Sequence, residues 1–146
     1  MFDEALQIVP VAELPWAWNP FKCAHRAKFC AALPADLEAD QRPPYFAAMV
    51  QGLTQPELEA CPYHNCDWAL AAAMTVWCFQ YRVDPHGEQV SKRVAEQGGG
   101  WPELKAISSL FLRPIVWSPQ SPTVSDGQHR VCALKVAGAE RCIVEC

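Results

Sequence analysis

The chain has 146 residues, enough for one domain with a substantial core and too short for two full ones. Hydrophobic residues make up 51% and charged residues 19%, a globular composition that excludes an intrinsically disordered chain. The formal charge is −4 with no block of lysines or arginines, which disfavours a stand-alone binder of duplex DNA. A small anionic ligand needs only a few local positive groups and stays open.

The acidic opening Met1-Phe2-Asp3-Glu4 lacks the basic and apolar regions of a secretory signal, so a cytoplasmic protein is expected. Leu6 to Leu14, with Ile8, Val9 and Val11, reads as a first strand. It ends at the turn Pro15-Trp16-Ala17-Trp18-Asn19-Pro20. Pro34, Pro43 and Pro44 punctuate the next stretch, with a short helix expected around Tyr45 to Val50. Thr54 is a natural N-cap with Glu57 as capping-box partner, and Leu53 with Leu58 has the spacing of a hydrophobic staple.

Trp68 to Arg82 is apolar nearly all round, with Trp68, Ala72, Val76 and Phe79 on one side. It is too short to cross a bilayer comfortably and reads as a buried core helix, so no membrane partner is expected. Pro85-His86-Gly87 breaks it, and Gln89 to Gln97 predicts another helical segment. Gly98-Gly99-Gly100 reads as a flexible joint between two halves. Beyond it, Leu104, Ile107, Leu110 and Phe111 predict a helix over Glu103 to Leu112. Ile115 to Trp117 reads as a strand, Ser118 to Pro122 as a turn and Thr123-Val124 as a short strand. A helix stopping at Gly138 and a final strand from Arg141 to Cys146 complete the pattern. No internal repeat is visible.

The most telling motif is Ser125-Asp126-Gly127-Gln128-His129-Arg130, in which Ser125 and Gln128 have capping-box spacing. An Asp-Gly turn runs directly into a helix whose first turn carries a histidine and an arginine. Helix N-termini have free N–H groups and partial positive charge, and Arg130 adds a forked, permanently charged donor set. The combination predicts a phosphate or carboxylate seat. The plainer alternative is a surface turn with a solvated His-Arg pair.

Cysteine and histidine form a second constellation. Cys61-Pro62-Tyr63-His64-Asn65-Cys66 offers Cys61, His64 and Cys66 as three ligands of a structural zinc, with Cys23, His25, Cys30 or Cys78 as the fourth. The alternatives are buried reduced thiols, disulfides or reactive thiols. Cys78, Cys132, Cys142 and Cys146 are expected to pack in the core. Trp16 and Trp18 are expected either to pack or to line a pocket for a flat ligand, and Lys92-Arg93 reads as a solvated helix face.

The C-terminal third resembles the ParB N-terminal/sulfiredoxin-like superfamily. The resemblance rests on Leu104 to Ile107, Arg113-Pro114-Ile115-Val116, Ser125 to Arg130, and Ala133-Leu134-Lys135 with Ala137-Gly138. Ile8 to Leu14 with Asn19-Pro20 is similar to that family's first strand and turn. The resemblance implies an α/β fold, a small mixed sheet flanked by helices. It implies one domain over residues 1–146, with a mostly helical insertion over 22–100 and a motif-bearing unit over 101–146.

It further implies that Gly127 lets the backbone approach a nucleotide's phosphates, with Gln128, His129 and Arg130 beside it. Asp126 then acts as base or magnesium ligand, and His129 joins it as a candidate catalytic group. The cofactor implied is ATP or CTP with magnesium, and the activity phosphoryl transfer or NTP hydrolysis. Gln128 stands where sulfiredoxins carry their reactive cysteine, which argues against sulfinic acid reduction. The DNA-partitioning members continue into a helix-turn-helix domain that this sequence does not show. Two other readings remain: a non-catalytic regulatory or protein-interaction module, and a DNA-binding or nucleic-acid-processing protein of a phage or mobile element. The oligomeric state is not legible.

Overall fold

The computed structural model describes residues 4–20 and 22–146. The acidic opening at Met1, Phe2 and Asp3 lies outside the described residues. Among them the chain forms a mixed α/β fold. The helices are α1 (Arg26–Ala32), α2 (Pro43–Gln51), α3 (Gln55–Glu59), α4 (Trp68–Tyr81), α5 (Glu88–Glu96), α6 (Trp101–Leu112) and α7 (Gln128–Val136). The strands are β1 (Leu6–Pro10), β2 (Ile115–Val116) and β3 (Arg141–Glu145). Three short 3-10 turns, at Val11–Glu13, Ala39–Gln41 and Pro62–His64, fill connections.

The sheet has the order β1-β3-β2, with β1 antiparallel to β3 and β2 parallel to it. Leu6 faces Glu145 and Pro10 faces Arg141, while Ile115 pairs with Val144. The central strand is covered on both faces, which is why Cys142, Ile143 and Val144 are all fully buried instead of alternating. β2, the loop after it, α7 and β3 form the crossover that a parallel pair requires.

The first strand is shorter than its sequence pattern. β1 ends at Pro10 because Val11 N–H donates to Glu140 O (2.9 Å) and Val11 O accepts from Lys135 Nζ (3.0 Å), and the chain then tightens into a 3-10 turn. Thr54 caps α3 as expected, with Glu57 N–H donating to its hydroxyl and Glu57 Oε1 accepting from Thr54 N–H (3.0 Å). Helix α1 has no counterpart in the sequence reading. Its N-cap, His25, supplies no side-chain cap, and Phe29 is its one buried residue.

The main core joins α4, α5, α6, α7 and the sheet around Leu70, Val94, Ile107, Leu110, Ile115, Leu134 and Ile143. A second cluster, Ala17, Phe29, Phe46, Met49, Val50 and Cys132, fastens α1 and α2 to α7. The segment expected as an insertion is helical, yet its α4 is part of the principal core.

Gly98-Gly99-Gly100 forms a turn in which Gly99 is closely packed and Gly98 and Gly100 are exposed. A Cβ on Gly99 would meet Val94 Cγ1 at 2.7 Å and Leu70 Cδ2 at 2.9 Å, and Gly98 has φ +83. Glu103, buried, accepts from Gly100 N–H (2.7 Å) and from Asp67 N–H (3.0 Å), tying this turn to the start of α4.

Two further expectations, a strand at Thr123-Val124 and a buried Cys146, differ from the structure. Thr123-Val124 is not a strand: Val124 is buried within the loop, and the pairing there is one bridge between Val116 and Asp126. Cys146 is exposed beyond the end of β3, whereas Cys78, Cys132 and Cys142 are buried as expected. Trp16 and Trp18 pack: Lys135 Nζ sits 5.3 Å from the Trp16 ring, and Trp18 Nε1 donates to Val124 O (3.4 Å). Arg93 spreads its guanidinium over the Trp77 ring at 4.2 Å. No helix among the described residues is long and apolar enough to cross a membrane.

Candidate functional site

The Asp-Gly turn lies between β2 and α7. Asp126 O accepts from Val116 N–H (3.0 Å) and Ser125 N–H donates to Val116 O (2.9 Å), so the loop folds back on β2 before the helix begins. Gly127 is the N-cap, at φ +92 and ψ 19, a left-handed conformation that glycine adopts without strain. A Cβ here would meet Ile115 Cγ1 at 2.9 Å, Arg130 Nη2 at 3.0 Å and Ile115 Cα at 3.2 Å. Both the backbone angle and the close approach therefore demand glycine. No side chain caps α7, so the Ser125 and Gln128 capping box does not form, and the first turn of α7 keeps its intrinsic polarity.

Arg130 Nη1 donates to Ser109 O (3.0 Å) on α6, which holds the guanidinium across the Gly127 turn with Nη2 directed at it. Burial draws its pKa down, opposed by nearby Asp126 and Tyr63, while Arg113 adds to the lowering. An arginine stays charged under such pressure. His129 stacks on Tyr63 with centroids 4.9 Å apart and planes 14° from parallel. Burial, and then Lys22, lowers its pKa, so near neutral pH the ring favours its uncharged form.

These groups line one cleft of about 400 Å³, in which Lys22 and Arg113 join Arg130, and Asp126 is the single carboxylate. Local charge is thus positive in a chain whose net charge is −4. Sequence reasoning found Asp126, Gly127, Gln128, His129 and Arg130. It missed Lys22, Tyr63, Ser109 and Arg113, which arrive from the α1 approach, the Cys61–Cys66 turn and α6. Only Arg113, next to the Pro-Ile-Val strand, had any local signal.

Gln128 lines the cleft but has a second role. Its Oε1 accepts from Trp18 N–H (3.0 Å) and Asn19 N–H (2.9 Å), clasping the turn after the first strand to the start of α7.

The candidate zinc ligands lie at two places around the Cys61–Cys66 turn. Cys61 is buried beside Cys23, whose thiol is pushed up by burial, with the His25 amide opposing and Cys61 reinforcing the shift. His64 and Cys66 border a separate small cleft against α7 that Cys61 does not reach. Burial raises the Cys66 thiol to about 11, reinforced by Glu103 and Asp67; burial also lowers the His64 pKa, with repulsion from His25 adding to it. The His25 Nε2 atom is 2.6 Å from Glu57 O. Among the described residues, no group of three or more Cys, His, Asp or Glu side chains is gathered as a metal site would require.

Comparison with known proteins adds no relative: no family model, no curated protein and no solved structure matches this chain.

Proposed function

We propose that this chain binds a nucleotide or small phosphorylated ligand by its phosphates, in the manner of the ParB/sulfiredoxin-like proteins it resembles, for phosphoryl transfer or NTP hydrolysis. The observation that carries the reading is the cleft at the start of α7, where Lys22, Arg113 and Arg130 line the same cavity as the Gly127 turn. Backbone N–H groups at a helix start and a braced guanidinium bind phosphate oxygens with charge-assisted hydrogen bonds. Lys22 and Arg113, both exposed, supply further charge at the mouth.

Asp126 is the candidate magnesium ligand or proton acceptor. Magnesium is commonly held by one or two carboxylates plus the substrate's own phosphates, so a single carboxylate beside a phosphate seat fits that ion. Bound there, the ion would neutralise charge developing on the phosphates. His129, stacked and favouring the neutral form, offers a ring nitrogen as donor or acceptor to the same ligand.

The test is the melting temperature with ATP or CTP and magnesium. A rise that disappears in Arg130→Ala, and is weakened in Lys22→Ala and Arg113→Ala, supports the reading. No shift with any nucleotide at millimolar concentration overturns it in favour of a non-catalytic module. Salt-sensitive binding to DNA in place of nucleotide would point instead to nucleic-acid processing.

A further inference from the structure

The phosphate cleft shares a wall with a second cavity of about 480 Å³, and the shared residues are Tyr63, Ser109 and Arg130. The two differ in character. The first is polar and basic, and the second is mainly apolar, floored by Trp68 and rimmed by Trp101 and Pro102 at the start of α6. Trp101 is 73% exposed, an unusual position for the largest apolar side chain, and its ring stands at the lip of a cavity of small-molecule size. Asn65, also on this wall, carries both a donor and an acceptor.

We infer that the second cavity receives the base of the nucleotide whose phosphates occupy the first, with Trp101 as its stacking surface and Asn65 as a reader of its edge. The inference rests on the phosphate-binding reading and adds to it the half of the ligand that phosphate contacts leave undefined. A flat heteroaromatic ring joined to an anionic tail is the one-piece ligand that matches an aromatic-lipped pocket adjoining a cationic one. Arg130 is the hinge of the arrangement: its guanidinium lies on the boundary, braced from α6 by Ser109 O. Apart from Arg130, the pocket is made by residues between Pro62 and Trp68 and by α6, segments outside the glycine turn. The residues that choose the base are therefore separate from those that hold phosphate.

Calorimetric titration of the full chain with ATP, CTP and inorganic tripolyphosphate, each with magnesium, separates the claims. The expected result is that the nucleotide binds more tightly than tripolyphosphate. Trp101→Ala then weakens the nucleotide between about 5- and 150-fold, the range for losing one aromatic stack, and leaves tripolyphosphate unchanged, while Trp101→Phe restores most of the affinity. Trp101 is exposed, so its replacement leaves the fold intact, checked by an unchanged melting temperature. If tripolyphosphate binds as tightly as either nucleotide, or Trp101→Ala affects both alike, the base pocket is overturned while phosphate binding stands. If neither tripolyphosphate nor nucleotide binds, the phosphate reading itself falls, and the base pocket with it.

Discussion

Replacing Gly127 by alanine tests how much of the site is enforced by close packing and how much by backbone angle alone. At φ +92 an L-residue carries a left-handed penalty of about 1–2 kcal/mol. The added methyl would also lie 2.9 Å from Ile115 Cγ1 and 3.2 Å from Ile115 Cα. The second of these is backbone in the sheet, which cannot rotate away, so overpacking adds about 1–3 kcal/mol. The expected loss is roughly 2–5 kcal/mol, or roughly 5–15 °C in melting temperature for a chain of this size. Gly138 provides the control. It has φ +77 but nothing within 4 Å of the position of its Cβ, so Gly138→Ala should cost only the backbone term, about 1–2 kcal/mol. Asparagine, which tolerates the left-handed region, should relieve Gly138 but not Gly127, where Cβ remains. Urea unfolding of the four variants measures each value. Equal losses at the two glycines, or recovery in Gly127→Asn, would refute the argument that Ile115 excludes a side chain.

Gln128→Ala removes the acceptor for the Trp18 and Asn19 amides and should cost about 1–2 kcal/mol, with faster hydrogen exchange at those two amides ahead of any change in α4. Glu103→Ala strands the Gly100 and Asp67 N–H groups and should cost about 2–4 kcal/mol by thermal unfolding; Glu103→Gln, keeping one acceptor, should cost about half of that. Burial raises the thiols of Cys132 and Cys142 from 9.0 to about 12. The unfolded chain therefore loses these protons first, and stability held below pH 9 should fall as pH climbs toward 12. In Cys132→Ala the alkaline fall should be shallower, and an unchanged slope between pH 8 and pH 11 would show that the thiol does not contribute.

Elements with strong periodicity or caps were legible in the chain. Helices α4 to α7 follow their apolar spacing within two residues, and Thr54 caps where its hydroxyl and Glu57 say it should. Other features were set by distant partners. Val124 looks like strand because it is β-branched, but what buries it is a loop held by Trp18. Gly98 to Gly100 suggests looseness, whereas at Gly99 the Val94 and Leu70 side chains press so close that a Cβ would not fit without a shift. The same division runs through the site. Gly127 and Arg130 announce themselves by local chemistry, but nothing near Tyr63 or Ser109 in sequence shows that tertiary packing will set them beside His129 and Arg130.

The clasp at Gln128 joins residues 110 positions apart, and β1 pairs with β3 across nearly the whole chain. Closing loops of that length costs entropy that local contacts do not return, so such topologies form late and as a unit. A cleft whose walls are delivered by Lys22, Tyr63, Ser109 and Gln128 exists only once both ends of the chain have met. Occupancy of that cleft would therefore act as a lock on the whole molecule. Its ligand would slow global unfolding instead of merely quieting a loop, and resistance to proteolysis would serve as a direct gauge of how much ligand is bound.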